Sequence, residues 1–356
     1  MIRIPPLLRG RVERIVLDSR VLRGNPLGDP HRREVSIYLP PEYDREPKRR
    51  FPMFVDLVGF LGSGAAHLNW KSFDENVPER LERLVKAGKM GPVIAVFPDC
   101  WTRLGGNQYI NSSGVGRYAD YILREILPEV DRRYRTFGDP RKRAVFGKSS
   151  GGYGAIVHAM RYASHWGAIA CHSGDMYFDF CYGADLPRTV DTLARYGRDP
   201  RKFLRGFMAN KKISDEDAHA IMFLAMAAFY DPDPAAPLGF HLPMDLHTGE
   251  IDRRRWARWL RHDPIRIVER PQAQRRLRSL RGIYIDCGSR DQYFLHYGAR
   301  ILHRKLDDLG IAHRYEEFED NHTQVDYRMD VSLPWLYRKL MSRRKGSPLG
   351  RTGESK

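Results

Sequence analysis

The sequence predicts an α/β protein: a mostly parallel central sheet with helices on both faces. Three observations predict it. Short apolar runs of strand length alternate with helical stretches over residues 53–171 and again over 282–318. The runs are apolar throughout rather than at every second position, which is the pattern of strands covered on both sides. A single stretch, residues 175–281, breaks the alternation and reads as helices and proline-rich breaks, so a helical cap inserted over one end of the sheet is expected there. The expected segmentation is 1–174 and 282–340 for the core, 175–281 for the cap, and 341–356 for a disordered basic tail.

The elements follow in order. Residues 11–19 (RVERIVLDS) and 33–40 (REVSIYLP) carry β-branched and aromatic side chains, with Gly24-Asn25-Pro26 and Gly28-Asp29-Pro30 between them. They read as antiparallel strands, the second stopped by Pro40-Pro41. Residues 53–58 (MFVDLV), 93–97 (VIAVF), 144–146 and 168–171 are the next strands; 78–86, 118–134 and 150–162 have helical spacing. Within the insertion, Ser214 opens a helix through IMFLAMAAF, with Asp217 standing where a capping box usually has Glu. DPDPAAP then breaks the chain, and a second helix surrounds RRRWARWLR. The α/β pattern resumes with a strand at 283–286, a helix at 294–309 and a strand at 313–318. No internal repeat is visible.

Composition narrows the classes. The chain has 356 residues, 42% hydrophobic and 29% charged, which supplies a core and excludes a disordered chain. Cys100, Cys171, Cys181 and Cys287 are too few for a disulfide scaffold and show no Cys-x-x-Cys spacing for zinc. The first residues, MIRIPPLLRGRVERIV, lack the apolar centre of a signal peptide, and the longest apolar run, 220–230, is too short to span a membrane. A cytoplasmic protein is expected. Lys and Arg outnumber Asp and Glu by 60 to 44, a net +16 that favours anionic partners.

Residues 143–154, RAVFGKSSGGYG, are the most informative. A strand runs into Gly147-Lys148-Ser149-Ser150-Gly151 and then into a helix, which is G-x-S-x-G in the context that gives it meaning. A nucleophile on so tight a turn needs small residues two positions to either side. Only Ser149 is framed this way; centring the motif on Ser150 would need glycine at Lys148. Gly-Lys-Ser also ends a phosphate-binding loop, but that motif needs glycine at Lys142 and a long loop where a strand stands here.

A serine hydroxyl needs a base, and the base an orienting acid, in the chain order Ser, Asp, His. The strand at 283–286 leads to Cys287-Gly288-Ser289-Arg290-Asp291. Asp291, past the strand end, is favoured over Asp286 within it; a helix N-cap is its plain structural use. The base is expected after the next strand, where His322 is the only histidine of the loop 319–323. His172 follows a strand and is a candidate to line the site; His296 and His303, on a helix, are expected at the surface. His241 and His247, around Asp245, lack a third metal ligand at a recognisable spacing. For the oxyanion hole, the amides of Ser150 and of Phe60 are expected, the latter in the glycine-rich loop 58–64.

Residues 253–281 carry eleven arginines against Asp263 and Glu269. This reads either as a solvated, salt-bridged surface or as an attractant for an anionic substrate, polymer or surface. Trp256 and Trp259 are three apart, the spacing of helix packing, and no nucleic-acid module is present.

Together these segments resemble the esterase D family of α/β-hydrolases, which includes S-formylglutathione hydrolase, feruloyl esterases, enterochelin esterases and mycolyltransferases. The resemblance rests on VSIYLPPEYD, FPMFVDLVGF, VIAVFPDC, GKSSGGYGAIVHAM and GSRDQYF, and on NQYINSS followed by a helix with Glu125 and Pro128. It implies an α/β-hydrolase fold, a Ser149–His322–Asp291 triad and oxyanion donors at Phe60 and Ser150. Two departures stand out: Val58-Gly59 where many members have His-Gly, and Asp320-Asn321 in place of a glycine-rich approach to His322. The implied activity is carboxylic-ester hydrolysis through an acyl-enzyme, on a small or polymer-linked ester, with no metal or organic cofactor. An acyltransferase, or a non-catalytic relative that binds a ligand, are the alternatives; the oligomeric state is not readable.

Overall fold

The computed structural model describes residues 8–342, so all but Met341 and Ser342 of the expected basic tail lie outside the described residues. The chain opens with β1 (Arg11–Asp18) and β2 (Arg32–Leu39), paired antiparallel from Arg11–Leu39 to Asp18–Arg32. After the proline stop come a short helix α1 (Pro41–Arg45), β3 (Met53–Leu57), α2 (Val77–Lys86) and β4 (Ile94–Pro98). A two-residue ribbon, β5 (Asn111–Ser112) with β6 (Gly116–Arg117), precedes α3 (Tyr118–Asp120) and α4 (Leu127–Arg133). Next are β7 (Arg143–Lys148), α5 (Ser150–Tyr162) and β8 (Ala168–His172).

Seven helices follow before the next strand: α6 (Phe178–Cys181), α7 (Asp185–Ala194), α8 (Pro200–Ala209), α9 (Asp215–Tyr230), α10 (Arg253–Leu260), α11 (Pro264–Ile267) and α12 (Pro271–Ser279). The chain then returns through β9 (Gly282–Gly288), α13 (Leu295–Asp308), β10 (Arg314–Phe318) and α14 (Met329–Met341).

Eight strands make one sheet in the order β1-β2-β4-β3-β7-β8-β9-β10, and only β2 runs against the rest. Successive strand residues point to opposite faces, so the strands divide between two cores. Val55, Leu57, Val145, Ile169 and Ile285 face a large core shared with α5, α9 and α13. Phe54, Phe97, Phe146, Ala168 and Ala170 face a smaller one under α2 and α14, where the alanines leave room for Leu333 and Trp335. This is a mostly parallel sheet flanked by helices, as expected. α5 is buried continuously from Ser150 to Met160, which is why it shows no polar stripe.

Ser214 caps α9 by accepting from the Asp217 amide at 3.1 Å. Trp256 and Trp259 are buried and stack at 5.5 Å. The four cysteines are buried and free. Among the described residues no helix is long and apolar enough to cross a membrane. The stretch 118–134 differs from the single helix expected: a π turn over Tyr121–Ile126 separates α3 from α4. Pro128 has no amide hydrogen for the carbonyl four residues back, and the ladder widens before it.

One buried group makes stability depend on pH. His158, on α5, donates from Nε2 to the Tyr109 carbonyl at 2.8 Å. Burial pushes its imidazole down from near 6.5 to about 4. Below 6.5 the unfolded chain takes up a proton that the folded chain refuses, so stability falls as the pH drops toward 4. The loss from this one group is about 2 kcal/mol at pH 5. Urea midpoints of wild type should therefore drop between pH 7 and pH 5, and His158→Gln should narrow that drop; an identical drop in both would remove His158 as the cause.

Candidate active site

From β3 the chain crosses to β4 on one side; from β7 it crosses to β8 on the other. The carboxyl ends of this adjacent pair form the switch point where an open α/β sheet leaves a crevice. The loop 58–64 leaves β3 there, and Ser149 leaves β7.

Ser149 has φ 58° and ψ −126°, a left-handed backbone that costs a non-glycine residue on the order of 1–3 kcal/mol. Two bonds hold it: the Ser149 amide donates to the His172 carbonyl at 3.0 Å, and the Tyr153 amide donates to the Ser149 carbonyl at 2.8 Å. The flanking glycines are sterically required. A Cβ at Gly147 would overlap the Leu57 carbonyl and lie 2.7 Å from that of Gly151. One at Gly151 would overlap Leu57 again, and one at Gly152 would lie 2.7 Å from the His172 carbonyl. A Cβ at Gly59 would sit 3.5 Å from that of Ser149, so the loop after β3 runs directly past the hydroxyl-bearing carbon.

That loop is pinned. The Tyr109 hydroxyl donates to the Val58 carbonyl at 2.6 Å, the Leu61 amide donates to Gly105 at 2.8 Å, and the Phe60 ring presses on Gly106. The Phe60 amide has no protein acceptor among the described residues. Ser150 is the first residue of α5, where helix geometry leaves the amide without an intrahelical partner.

Asp291 and His322 meet beyond β9 and β10. The Ser289 amide donates to Phe318 at 2.8 Å, the Arg290 amide to Asp320 at 2.9 Å, and the His322 amide to Gln292 Oε1 at 3.0 Å. Gly288 permits this: a Cβ there would lie 2.5 Å from the Asp320 carbonyl. His322 Nδ1 is 2.8 Å from Asp291 Oδ2. A carboxylate only accepts, so Nδ1 carries the hydrogen and Nε2 is left as the basic nitrogen. Asp291 also serves its turn, accepting from the Tyr293 amide at 2.9 Å through Oδ1.

Ser149 and His322 line one cavity of about 300 Å³ together with Gly59, Phe60 and residues of the 175–281 segment. A larger groove of about 700 Å³, beside α1 and α2, holds neither of them. Sequence reasoning missed several residues of the smaller cavity. Lys148 lies beside Ser149, and burial lowers its pKa. Asp175, after β8, accepts from Tyr182 at 2.8 Å and from Gln108 and Ser150 at 3.3 Å. Burial nevertheless raises its pKa. His219, on α9, lies 3.0 Å from Asp185, a contact that raises its pKa. Asp175 sits in HSGDMYF, just past a strand end, the one signal that could have drawn attention to it.

Other placements differ from expectation. His172 does not line the cavity: its ring binds Asp286 at 2.6 Å and Ser332 at 2.9 Å, on the α14 side of the sheet. Ser150 and Asp175 are neighbours, but His172 faces away from both. Asp286 is taken up by His172, Tyr284 and Arg328. His296, expected at the surface, is buried against Tyr297, with ring centres 4.1 Å apart.

Residues 30–332 match the profile of the family described as "Putative esterase". Two Mycobacterium tuberculosis proteins named as esterases, from strains CDC 1551 / Oshkosh and ATCC 25618 / H37Rv, are 34% identical over 146 residues. The match covers 39% of this chain and 28% of each relative, so it spans little more than a quarter of their length. Among solved structures, a ferulic acid esterase has a TM-score of 0.61 at 18% identity, covering 94% of this chain and 100% of its own. An S-formylglutathione hydrolase from Agrobacterium tumefaciens has 0.59 at 14%, covering 94% and 97%. At these identities the likeness is one of fold, the α/β-hydrolase fold.

The steric account of the Ser149 turn is testable. Gly151→Ala should abolish hydrolysis of short p-nitrophenyl esters and lower the thermal midpoint, because Leu57 cannot retreat without breaking its strand. Gly24→Ala is the control; its added methyl meets nothing within 4 Å, so its penalty is that of a φ of 69° alone. Equal behaviour of the two variants would overturn the account.

Proposed function

The chain belongs to this esterase family, and from that premise we propose that it is a serine carboxylic-ester hydrolase with Ser149 as nucleophile, His322 as base and Asp291 as acid. One observation carries the reading: the His322 imidazole is held through Nδ1 by Asp291 at 2.8 Å and shares a cavity wall with Ser149.

In the reaction, His322 Nε2 takes the Ser149 proton as the hydroxyl oxygen attacks the ester carbonyl. The amides of Phe60 and Ser150 receive the oxyanion, each worth roughly 10²–10³-fold. The tetrahedral intermediate collapses and His322 returns the proton to the departing alcohol. Water, deprotonated by the same imidazole, then cleaves the acyl-enzyme and frees the acid. Asp291 keeps the ring in its Nδ1–H tautomer and stabilises the imidazolium formed in each half. The 175–281 segment selects the substrate, since Cys181, Tyr182, Ala218, His219 and Met222 line the cavity. Of these, Tyr182 and His219 suit an acyl or alcohol part that can hydrogen-bond, while Ala218 and Met222 offer it an apolar surface.

Ser149→Ala should lower turnover of p-nitrophenyl acetate or butyrate by roughly 10⁶-fold and abolish labelling by a fluorophosphonate probe. Asp291→Asn should cost about 10⁴-fold by freeing the wrong tautomer. Wild-type turnover in Ser149→Ala would end the reading. With an anionic ester such as a p-nitrophenyl hemisuccinate, raising the ionic strength should lower kcat/KM and leave kcat unchanged; an indifferent kcat/KM would remove the anionic preference while leaving the esterase reading intact.

A further inference from the structure

Far from the cavity, the end of α13 and the start of β10 bring three metal-ligating side chains together. His303 and Asp307 are four residues apart on α13 and share a face. His313 stands just before β10, beyond a turn in which Gly310 has φ 60°. The three offer ligand atoms that all lie within 4.8 Å of one another. Asp307 reaches both rings, with Oδ2 3.5 Å from His303 Nε2 and Oδ1 3.9 Å from His313 Nε2. The rings approach to 2.8 Å between His303 Nδ1 and His313 Nε2. Two donors on one tetrahedral zinc stand about 3.3 Å apart, given bonds near 2.0–2.1 Å.

The rings are oriented for this. His313 is nearly enclosed, its side chain 3% exposed, and its Nδ1 lies 2.8 Å from the Ile311 carbonyl. A carbonyl only accepts, so Nδ1 carries the hydrogen and Nε2 faces the cluster as an acceptor; without an ion it takes the His303 Nδ1 hydrogen at 2.8 Å, a bond that a metal would replace once His303 gives up that proton. A backbone acceptor behind the ring is how metal-bound histidines are commonly fixed. His303 is held by stacking on Tyr315 at 4.4 Å and 16°. The Asp307 side chain is 61% exposed and free to swing the small distance that closure needs.

We propose that His303, Asp307 and His313 bind a divalent transition-metal ion, with zinc as the reference case and water completing the shell. Two imidazoles and one carboxylate suit zinc, nickel or copper; calcium and magnesium prefer all-oxygen shells. The ion fastens the last turns of α13 to the first residue before β10, an edge strand of the sheet. It sits at the opposite end of β10 from the loop that carries His322, so its role is structural.

The test uses untagged full-length protein freed of metal with a chelator. Zinc titrated by calorimetry should show one site with Kd at or below about 10 μM, and cobalt should give the absorption bands of a low-symmetry site. Zinc should raise the thermal midpoint of wild type. His303→Gln and His313→Gln should lose the site and the thermal shift. Asp307→Asn, at an exposed position that cannot disturb the fold, should weaken binding at least tenfold. Absence of binding, or binding undiminished in Asp307→Asn and His303→Gln, would overturn the proposal.

Discussion

The carbonyl oxygen of Leu57 decides how the chain can pass from β7 into α5. β3 and β7 pair in parallel up to Leu57 opposite Gly147, and the turn at Ser149 must then fold back over the end of β3. Neither Gly147 nor Gly151 has space for a side-chain carbon against that oxygen. The left-handed Ser149 is the residue left to project outward, and its strain is borne by an eight-stranded sheet that cannot shift one strand alone. Phe60 follows Leu57 by three residues. The spacing between its amide and Ser149 is therefore inherited from two neighbouring strands, which lie about 4.8 Å apart in any sheet.

The His322 side of the cavity is secured from beneath. Asp286 gathers His172, Tyr284 and Arg328 on the α14 face, and Arg328 also pairs with Glu316 of β10. Asp326 takes Lys71 at 2.5 Å and lies 3.9 Å from Lys148; against the opposing effect of burial, these cations hold its pKa down to about 2. The chain between β10 and α14 is thus anchored at Asp326 and Arg328, a few residues past His322. Gly288 and the paired backbone of 289–290 with 318–320 anchor it from the other end. In the proposed reaction, an imidazole fixed from both ends would need little reorganisation when charge develops, and such preorganisation is commonly the largest contribution to rate.

The core strands, the Ser149 turn and the loops of Asp291 and His322 were legible because each is a local pattern: an apolar run, a glycine frame, an acid or histidine just past a strand. Asp175, Tyr182, His219 and Tyr109 were not, because their roles arise from long-range approach. Tyr109 acts on Val58, fifty-one residues earlier, and His219 reaches the cavity from the far side of an irregular insertion. His172 was legible as a residue at a strand end but not as to face, since one residue of register decides between cavity and underside. α14 went unread because Pro334 sits inside it; α7 and α8 are amphipathic, with Leu186, Thr189 and Leu193 on the buried face of α7 and Phe203 on that of α8, but they stand outside the strand–helix alternation that framed the other elements.

The large positive charge does not continue into the cavity. Lys148 is its single lining lysine, against Asp175 and Asp215. Many arginines of the 253–281 stretch are spent on architecture. Arg255 and Arg258 pair with buried Asp231, while Arg276, Arg278 and Arg281 donate to the carbonyls of Met160, Leu309 and Ser342. Guanidinium groups on carbonyls keep their charge, so a positive field persists outside and decays over about 8–10 Å in salt. In the proposed reaction that field would act on an anionic substrate during approach. The cavity itself sets Asp175, Tyr182, Asp215, His219 and Tyr293 among apolar Phe60, Leu61, Met222 and Leu295, so hydrogen bonds and apolar contact together, rather than net charge, would decide the fit.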